Sequence, residues 1–585
     1  MTNFYLTNFT KNTILTAIII LPSLLSSQHS RGSAIDFEFK QSISDSGIDT
    51  LLTTPTRINN LAVLGKIWGF LKYYHPAVAR GEYNWDNELF RILPRMLEVE
   101  SPAERDQALI GWIDALGEVV PGKNNIKKKG NIKLLPDLGW IDSSGFSPAL
   151  VSRLTRIRNV VREGEHYYVE LMRGVGGARF KNEDPYSGIK YPDAGYRLLS
   201  LYRYWNYIAY YFPYKYLMDD NWNDILKEYI PIFSTASSEL EYKLAVLSLI
   251  ARIDDSHASI RNKGKVLENY WGIRWSPLEL SFTENKFVVA GYFDDTLGKK
   301  TGLQPGDVIE RINGKKTEEI IKKRLPFTPG SNYIARMRNL ALHLLRTNDS
   351  ILKIDYSRGE ANHRANLPTY LSDVVFDNYS SYPRDTCFKI LRPEIAYLHG
   401  GTLMPAYLPA IMKTALSQSG LIIDMRTYPR SHYLYDLCQY LLARPRDFFK
   451  SSFASLDFPG MFTMTEEIKT FGKYKRPGYS GKVIILVNEF TQSEAEFNTM
   501  AFQCIPGAIV IGSQTAGADG NITPFYLPGG IETAFSSVGI YYPDGTETQH
   551  TGIVPDIVVK PTIEGIREGR DEVLERALQL LSEGS

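Results

Sequence analysis

Lys482-Val483-Ile484-Ile485-Leu486-Val487-Asn488-Glu489-Phe490-Thr491-Gln492-Ser493-Glu494-Ala495-Glu496 joins two patterns within fifteen residues. Lys482 to Asn488 is a short apolar run rich in β-branched side chains, which predicts a buried strand. Thr491 to Gln503 reads as a helix, with Thr491 as N-cap and Glu494, three residues on, closing a capping box. Ser493 is then expected in the first helical turn, where free N–H groups and the positive dipole end favour a developing alkoxide. Working outward, Ile395–Leu398, Gly420–Met425 and Ala508–Ile511 repeat the apolar run, with helix-length segments between them. Strands alternating with helices from about residue 385 predict an α/β core. Ser493 and Asp424 both fall at strand C-termini, where sites gather in open α/β sheets.

More than two hundred residues upstream stands Asp254-Asp255-Ser256-His257. It follows a predicted helix, Glu241 to Ile253, whose Leu244, Leu247, Ile250 and Ile253 recur at helical spacing. An internal repeat singles the segment out. Leu64 to Pro76 parallels Leu201 to Pro213, and Trp85 and Pro94 parallel Trp222 and Pro231, all at a gapless offset of 137 residues. Carried forward, the offset sets Val119 and Val120 opposite Ser256 and His257. Two helical units thus share core aromatics and prolines, and the second alone has the polar pair. Packing does not demand Ser-His there, so His257 is a candidate general base. A histidine suits that task because its ordinary pKa lies near neutral. The first unit reads as a structural or partner-binding copy.

With those residues in view, the chain resembles the C-terminal processing peptidase and tricorn protease family of serine peptidases, in its secreted bacterial form. Five landmarks carry the resemblance over roughly residues 190 to 570: Asp254 to His257; a PDZ-like stretch, Lys300 to Ile309 with Ile312-Asn313-Gly314; Leu421 to Arg426; the turn at Ser493; and Gly552 to Ile557. The resemblance implies a ClpP/crotonase-like catalytic core. It also implies either a Ser-Lys dyad or a tricorn-type Ser-His-Ser-Glu tetrad. The dyad lysine would follow Gly517, where this chain has Ala518, so the tetrad is expected. Ser493 is then the nucleophile, His257 the base, Ser256 the relaying hydroxyl and Glu547 the acid, with Asp544 and Glu532 as competitors. The N–H groups of Glu494 and Arg430 are the expected oxyanion donors. Family members commonly place Gly-Gly where this chain reads Thr427-Tyr428-Pro429-Arg430-Ser431, a departure that argues for weakened activity. Gly302, Leu303, Gly306 and Asp307 are the expected substrate-binding positions of the PDZ-like domain.

The full chain has 585 residues, and 66 basic against 65 acidic residues leave a net charge of +1, which gives no electrostatic footprint for nucleic acid. Lys11 precedes an apolar run, Ile14 to Leu25, interrupted by Pro22 and followed by Ser26-Ser27-Gln28. The run is short for a spanning helix, which needs about 18 apolar residues, so residues 1–28 read as a secretory signal. An uncleaved anchor is the alternative. Cys387, Cys438 and Cys504 do not space like metal ligands, and they read as buried free thiols. No metal site, no cofactor and no phosphate-binding glycine pattern is found. His399 is expected to be structural.

The predicted organisation is a multidomain α/β chain. After the signal come a helical unit and connector (29–190), a second helical unit with the Ser-His pair (191–265), a PDZ-like β domain (270–360) and the α/β peptidase domain (385–585). The expected function is an exported, periplasmic or envelope-associated serine endopeptidase acting on peptides or unfolded proteins. Homo-oligomers and membrane association through an uncleaved N-terminus are further expectations. The alternative is a non-catalytic peptide-binding or ligand-carrying protein on the same fold.

Overall fold

The computed structural model describes residues 45–120, 122, 130–160, 165–377, 379–382, 386–470 and 478–583, so the expected signal at 1–28 lies outside the described residues. No helix among the described residues is long and apolar enough to cross a membrane.

The first helical unit comprises α1 (Pro55–Tyr74), α2 (Trp85–Glu98) and α3 (Pro102–Asp114); the second comprises α4 (Ala194–Tyr211), α5 (Trp222–Thr235) and α6 (Glu239–Ala251). The repeated tryptophans have a physical reason. Trp68 Nε1–H donates to the Trp85 carbonyl and Trp85 Nε1–H to the Trp68 carbonyl, both at 3.0 Å. Trp205 and Trp222 make the same reciprocal clasp at 2.7 and 2.9 Å. Each indole thereby buries its large ring while its polar N–H finds an acceptor.

Equivalent positions of the two copies also meet. Gly65 faces Tyr202, Gly69 faces Asn206, and the Tyr73 and Tyr210 rings lie 5.1 Å apart. Each pair is one repeat apart, so α1 and α4 run side by side in the same direction about a local two-fold axis. A Cβ on Gly69 would sit 1.7 Å from the Asn206 side-chain oxygen, so the approach requires glycine. The copies part where the sequence says they should: Val120 is 82% exposed, whereas His257 is buried.

A β-rich unit follows, with β1 (Leu278–Thr283), β2 (Lys286–Tyr292), β3 (Val308–Ile312), α7 (Tyr333–His343), β4 (Ile351–Arg358) and β5 (Ala361–Pro368). Its strands lie in the order β5-β4-β3-β2-β1 over a core that includes Phe287, Leu303, Met337 and Ile354. The four residues expected to bind substrate here are spent on the fold. Leu303 is fully buried in that core. Asp307 is buried too, receiving Arg358 Nε and Nη2, each at 2.7 Å, and the Gln304 N–H at 2.8 Å. Gly302 gives its carbonyl to Arg358 at 2.8 Å, and Gly306 packs on Arg567.

The C-terminal part is built around a six-stranded sheet: β6 (Phe388–Arg392), β7 (Ile395–His399), β8 (Gly420–Asp424), β9 (Lys482–Val487), β10 (Ile509–Gly512) and, after the hairpin β11 (Ile522–Leu527) and β12 (Ile531–Ser536), β13 (Ile557–Val558). The sheet order is β6-β7-β8-β9-β10-β13, parallel except for the edge strand β6. Alternation along β9 explains why the whole run is apolar. Val483, Ile485 and Val487 pack on one face with α8 (Glu494–Phe502), while Ile484 and Leu486 pack on the other with α9 (Glu572–Ser582). Both faces are covered, as a parallel sheet requires. The hairpin β11–β12 leaves this sheet and sinks Phe525, Leu527, Ile531 and Phe535 into the core of the helical units. That crossing brings the end of β12 to the second unit.

Candidate active site

β9 ends at Val487, and the chain turns before α8 begins at Glu494. The helix therefore starts later than the sequence pattern predicts, and Ser493, not Thr491, is its N-cap. The Thr491 hydroxyl instead accepts the Asn488 N–H at 3.0 Å and donates to the Met425 carbonyl at 2.9 Å, tying the turn to the end of β8. Ser493 takes φ 56° and ψ −120°, a region unfavourable for a residue with a Cβ, and such strain is held by surrounding contacts. The contacts centre on Glu496, the residue that occupies the capping-box position assigned to Glu494. Its buried carboxylate accepts the N–H groups of Ser493 (3.0 Å), Gly517 (2.8 Å) and Ala518 (3.1 Å) and the Thr515 hydroxyl (2.5 Å). The Ala518 carbonyl also accepts the Ser493 N–H at 2.9 Å. Gly517, at φ 66°, lets this loop close; a Cβ there would meet the His550 carbonyl at 2.6 Å.

His257 sits across from that loop, with Gln492 Nε2 reaching the neighbouring Ser256 carbonyl at 3.4 Å. His257 Nδ1 lies 2.8 Å from Ser536 Oγ at the end of β12. Ser536 Oγ donates to Asp255 Oδ1 at 3.0 Å, and the Ser536 N–H donates to Asp255 Oδ2 at 2.6 Å. Because the serine proton is committed to the carboxylate, its lone pair faces the ring. Nδ1 is then the protonated nitrogen, and Nε2 carries the free lone pair. Nε2 is buried with no hydrogen-bond partner among the described residues. Burial lowers the His257 pKa below its ordinary value, against the pull of Asp255, which raises it. The imidazole is neutral at pH 7 and ready to accept a proton.

This arrangement corrects two assignments. Ser256 does not bridge to the imidazole: its hydroxyl donates to the Ala516 carbonyl at 2.9 Å and accepts the Ser331 N–H at 2.8 Å. Glu547 is not the acid, since its carboxylate pairs with Lys133 Nζ at 2.8 Å and accepts the Tyr216 hydroxyl at 2.9 Å. The competitors are elsewhere as well. Asp544 caps its own turn through the Thr546 N–H, and Glu532 lies 3.6 Å from Arg261. The groups that reach the imidazole are the Ser536 hydroxyl and, through it, the Asp255 carboxylate. Asp255 was legible as one of two carboxylates beside the histidine; nothing marks Ser536 in Ala534-Phe535-Ser536, because only the hairpin's path brings it there.

Arg430 is corrected too. Its N–H donates to the Gly401 carbonyl at 3.2 Å, and its guanidinium stacks 3.6 Å over Tyr382. The strand-end Asp424 serves the fold: it holds Arg426 Nε and Nη2 at 3.0 and 2.7 Å, and the same guanidinium reaches Asp571, the N-cap of α9, at 2.8 Å. His399 is buried, with Nδ1 3.0 Å from the Thr402 hydroxyl. The three cysteines are free thiols, Cys387 and Cys438 buried and Cys504 partly so. The β-rich unit touches the site through α7: Asn332, its N-cap, donates to the Thr515 carbonyl at 2.9 Å, and Arg338 donates to the Glu489 carbonyl at 2.7 Å and to Gln492 Oε1 at 3.0 Å.

A cavity of about 570 Å³ lies between α5, α6 and Phe327, away from Ser493 and His257. Two of its lining residues, Asp219 and Asp254, bring ligand atoms within 4.8 Å of His550. Asp219 is exposed and its N–H already donates to Asp254 Oδ2 at 3.1 Å.

Residues 400–559 match the model of peptidase family S41. The C-terminal domain is an S41 peptidase domain. The chain is accordingly a serine-type peptidase whose substrates are peptides or proteins. The S41 match takes in Ser493, Glu496 and Ser536, while Asp255 and His257 come from the helical unit outside it. No curated protein matches the chain. Among solved structures, mature CPAF complexed with lactacystin is similar at 14% identity and TM-score 0.50, over 66% of this chain and 98% of that one. The photosystem II D1 C-terminal processing protease aligns at 15% identity and TM-score 0.38, over 64% of this chain and 98% of that one. The tricorn protease aligns at 14% identity and TM-score 0.33, over 67% of this chain and 37% of that one. At 14% identity the likeness to CPAF is one of fold.

Proposed function

We propose that this S41 peptidase is an exported endopeptidase that cleaves peptides or unfolded proteins through an acyl-enzyme, with Ser493 as nucleophile and His257 as general base. The observation that carries the reading is the chain His257 Nδ1, Ser536 Oγ, Asp255, which leaves Nε2 buried and unpartnered among the described residues, next in sequence to the Ser256 carbonyl that Gln492 of the nucleophile loop reaches at 3.4 Å. Nε2 takes the Ser493 proton as Oγ attacks the scissile carbonyl, and the imidazolium so formed is stabilised through Ser536 by the Asp255 charge. Nε2 then returns the proton to the leaving amine, and water enters by the reverse sequence. Catalytic hydrogen bonds that are absent in a resting enzyme form in the substrate complex, so the contact between Nε2 and Ser493 Oγ is expected to close on binding. Export rests on the Ile14 to Leu25 run.

The test is labelling of the mature protein with a fluorophosphonate, followed by peptide mapping, with hydrolysis of unfolded casein as a second readout. Modification at Ser493 that falls sharply in His257→Ala supports the assignment. Folded protein unlabelled at Ser493, or labelled equally in His257→Ala, overturns it.

A further inference from the structure

Ser256 stands directly before the base, yet the reaction derived above gives its hydroxyl no part. Its polar groups are all committed, and to three different parts of the chain. The Ser256 N–H donates to Ser331 Oγ and the Ser331 N–H donates to Ser256 Oγ, both at 2.8 Å, a reciprocal clasp closed from the β-rich unit just ahead of α7. Ser256 Oγ gives its own proton to the Ala516 carbonyl at 2.9 Å, and the Ala516 N–H goes on to the Thr491 carbonyl at 3.0 Å. The Ser256 carbonyl accepts Gln492 Nε2 at 3.4 Å, while Gln492 Oε1 accepts Arg338 Nη2 at 3.0 Å. Thr491 and Gln492 lead straight into Ser493. Ser331 is fully buried, so its side of the clasp is shielded from water, where a hydrogen bond is stronger.

We infer that the Ser256–Ser331 clasp sets the register between base and nucleophile, so that Ser256 and Ser331 are positioning residues for proton transfer from Ser493 to His257, on the acyl-enzyme reading given above. The base belongs to the second helical unit and the nucleophile to the peptidase domain, and proton transfer needs them within about 3 Å of each other in the substrate complex. Two sets of bonds divide that task. Ser536 and Asp255 fix the tautomer of the ring. The clasp, with the bonds to Ala516 and Gln492, fixes where the segment that carries the ring stands relative to the turn that carries Ser493. Neither serine touches the substrate or the proton in flight. Removing the Ser331 hydroxyl takes the acceptor from the Ser256 N–H, and removing the Ser256 hydroxyl takes the acceptor from the Ser331 N–H and the donor from Ala516. Either change frees the segment before His257 while leaving the relay beyond it intact.

The experiment is steady-state hydrolysis of a fluorogenic peptide by wild type, Ser331→Ala, Ser256→Ala and the double variant, with thermal melting to show that each is folded. A misplacement of about 1 Å costs up to about 10²-fold in rate, so kcat should fall by about 10- to 100-fold in each single variant, with KM within about twofold. The acid limb of kcat/KM should stay where wild type has it, because neither serine bonds to the imidazole. The double variant should lose no more than the weaker single variant, since two halves of one clasp are not additive. Folded single variants with wild-type kcat overturn the inference and leave the acyl-enzyme intact, the clasp then serving stability alone. A raised KM at unchanged kcat also overturns it, because the serines would then act on substrate binding. Losses that multiply in the double variant overturn the clasp as one device. Failure of a fluorophosphonate to label Ser493 in folded wild type overturns both readings.

Discussion

Replacing Ser536 with alanine removes one oxygen atom between His257 Nδ1 (2.8 Å) and Asp255 Oδ1 (3.0 Å). Asp255 keeps the N–H groups of Ser536 (2.6 Å) and His257 (3.0 Å), so the fold should survive. The imidazole loses its only relay, and the direct Nδ1 to Oδ1 distance of 3.8 Å is too long for a hydrogen bond. A hydrogen bond to a group that becomes charged is worth about 1.5–3 kcal/mol, which at about 1.4 kcal/mol per tenfold predicts a fall in kcat of roughly ten- to 150-fold. The pH profile supplies a second signature. Wild-type kcat/KM should lose activity as pH falls through a His257 pKa below its ordinary value, because the protonated ring accepts no proton. Ser536 stabilises that protonated form, so Ser536→Ala should carry its acid limb to still lower pH while its plateau drops. Steady-state hydrolysis of a fluorogenic peptide between pH 4 and 8 reads both effects. A Ser536→Ala enzyme within threefold of wild type, beside a Glu547→Gln enzyme that collapses, would refute the relay and restore the acid expected from the family pattern.

Three further outcomes test the framework around the site. Glu496→Gln replaces two acceptor positions with an amide facing N–H donors, and at about 1.5–3 kcal/mol per lost charged hydrogen bond it should destabilise the fold by about 3 kcal/mol or more, read by urea unfolding. Asp519 is buried with Oδ2 unpartnered among the described residues, and burial, reinforced by the Glu496 charge, holds its pKa well above the usual carboxylate range. Folding therefore takes up a proton, and stability falls as pH rises above about 4, by about 1.4 kcal/mol per unit until the folded pKa is passed. Asp519→Asn cannot ionise and should melt higher than wild type at pH 7, with the gap closing near pH 4; equal melting at pH 7 would count against the raised pKa. Trp85→Phe and Trp222→Phe each break one reciprocal clasp and should cost similar amounts, about 2 kcal/mol, in denaturant unfolding. A loss confined to one variant would mean that the two units are not physically equivalent.

Local pattern was enough to reveal the elements and the two candidate catalytic ends. The β-branched run at residues 482–488 could satisfy its backbone only inside a covered sheet, so the α/β core was legible. The 137-residue repeat was legible because packing fixes large side chains, and the tryptophan clasp requires both members of each pair. The start of α8 was misread by two residues. Thr491 and Glu494 satisfy a local capping rule, but the long-range bonds from Thr491 to Met425 and from Glu496 to the 515–518 loop outweigh it.

By itself the sequence determined the fold class, the strand-to-turn-to-helix setting of Ser493, the duplication of the helical units and the presence of Asp255 and His257 in one segment. Only the tertiary structure decided which groups touch them. A carboxylate's role depends on distances of a few ångströms set by the paths of remote strands. The β11–β12 hairpin carries Ser536 some 280 residues along the chain to His257, while Glu547, better placed by spacing, is drawn off to Lys133. The Arg430 N–H as an oxyanion donor was likewise a sequence expectation. That the Arg430 N–H is spent follows from how the segment after β8 folds back on Gly401.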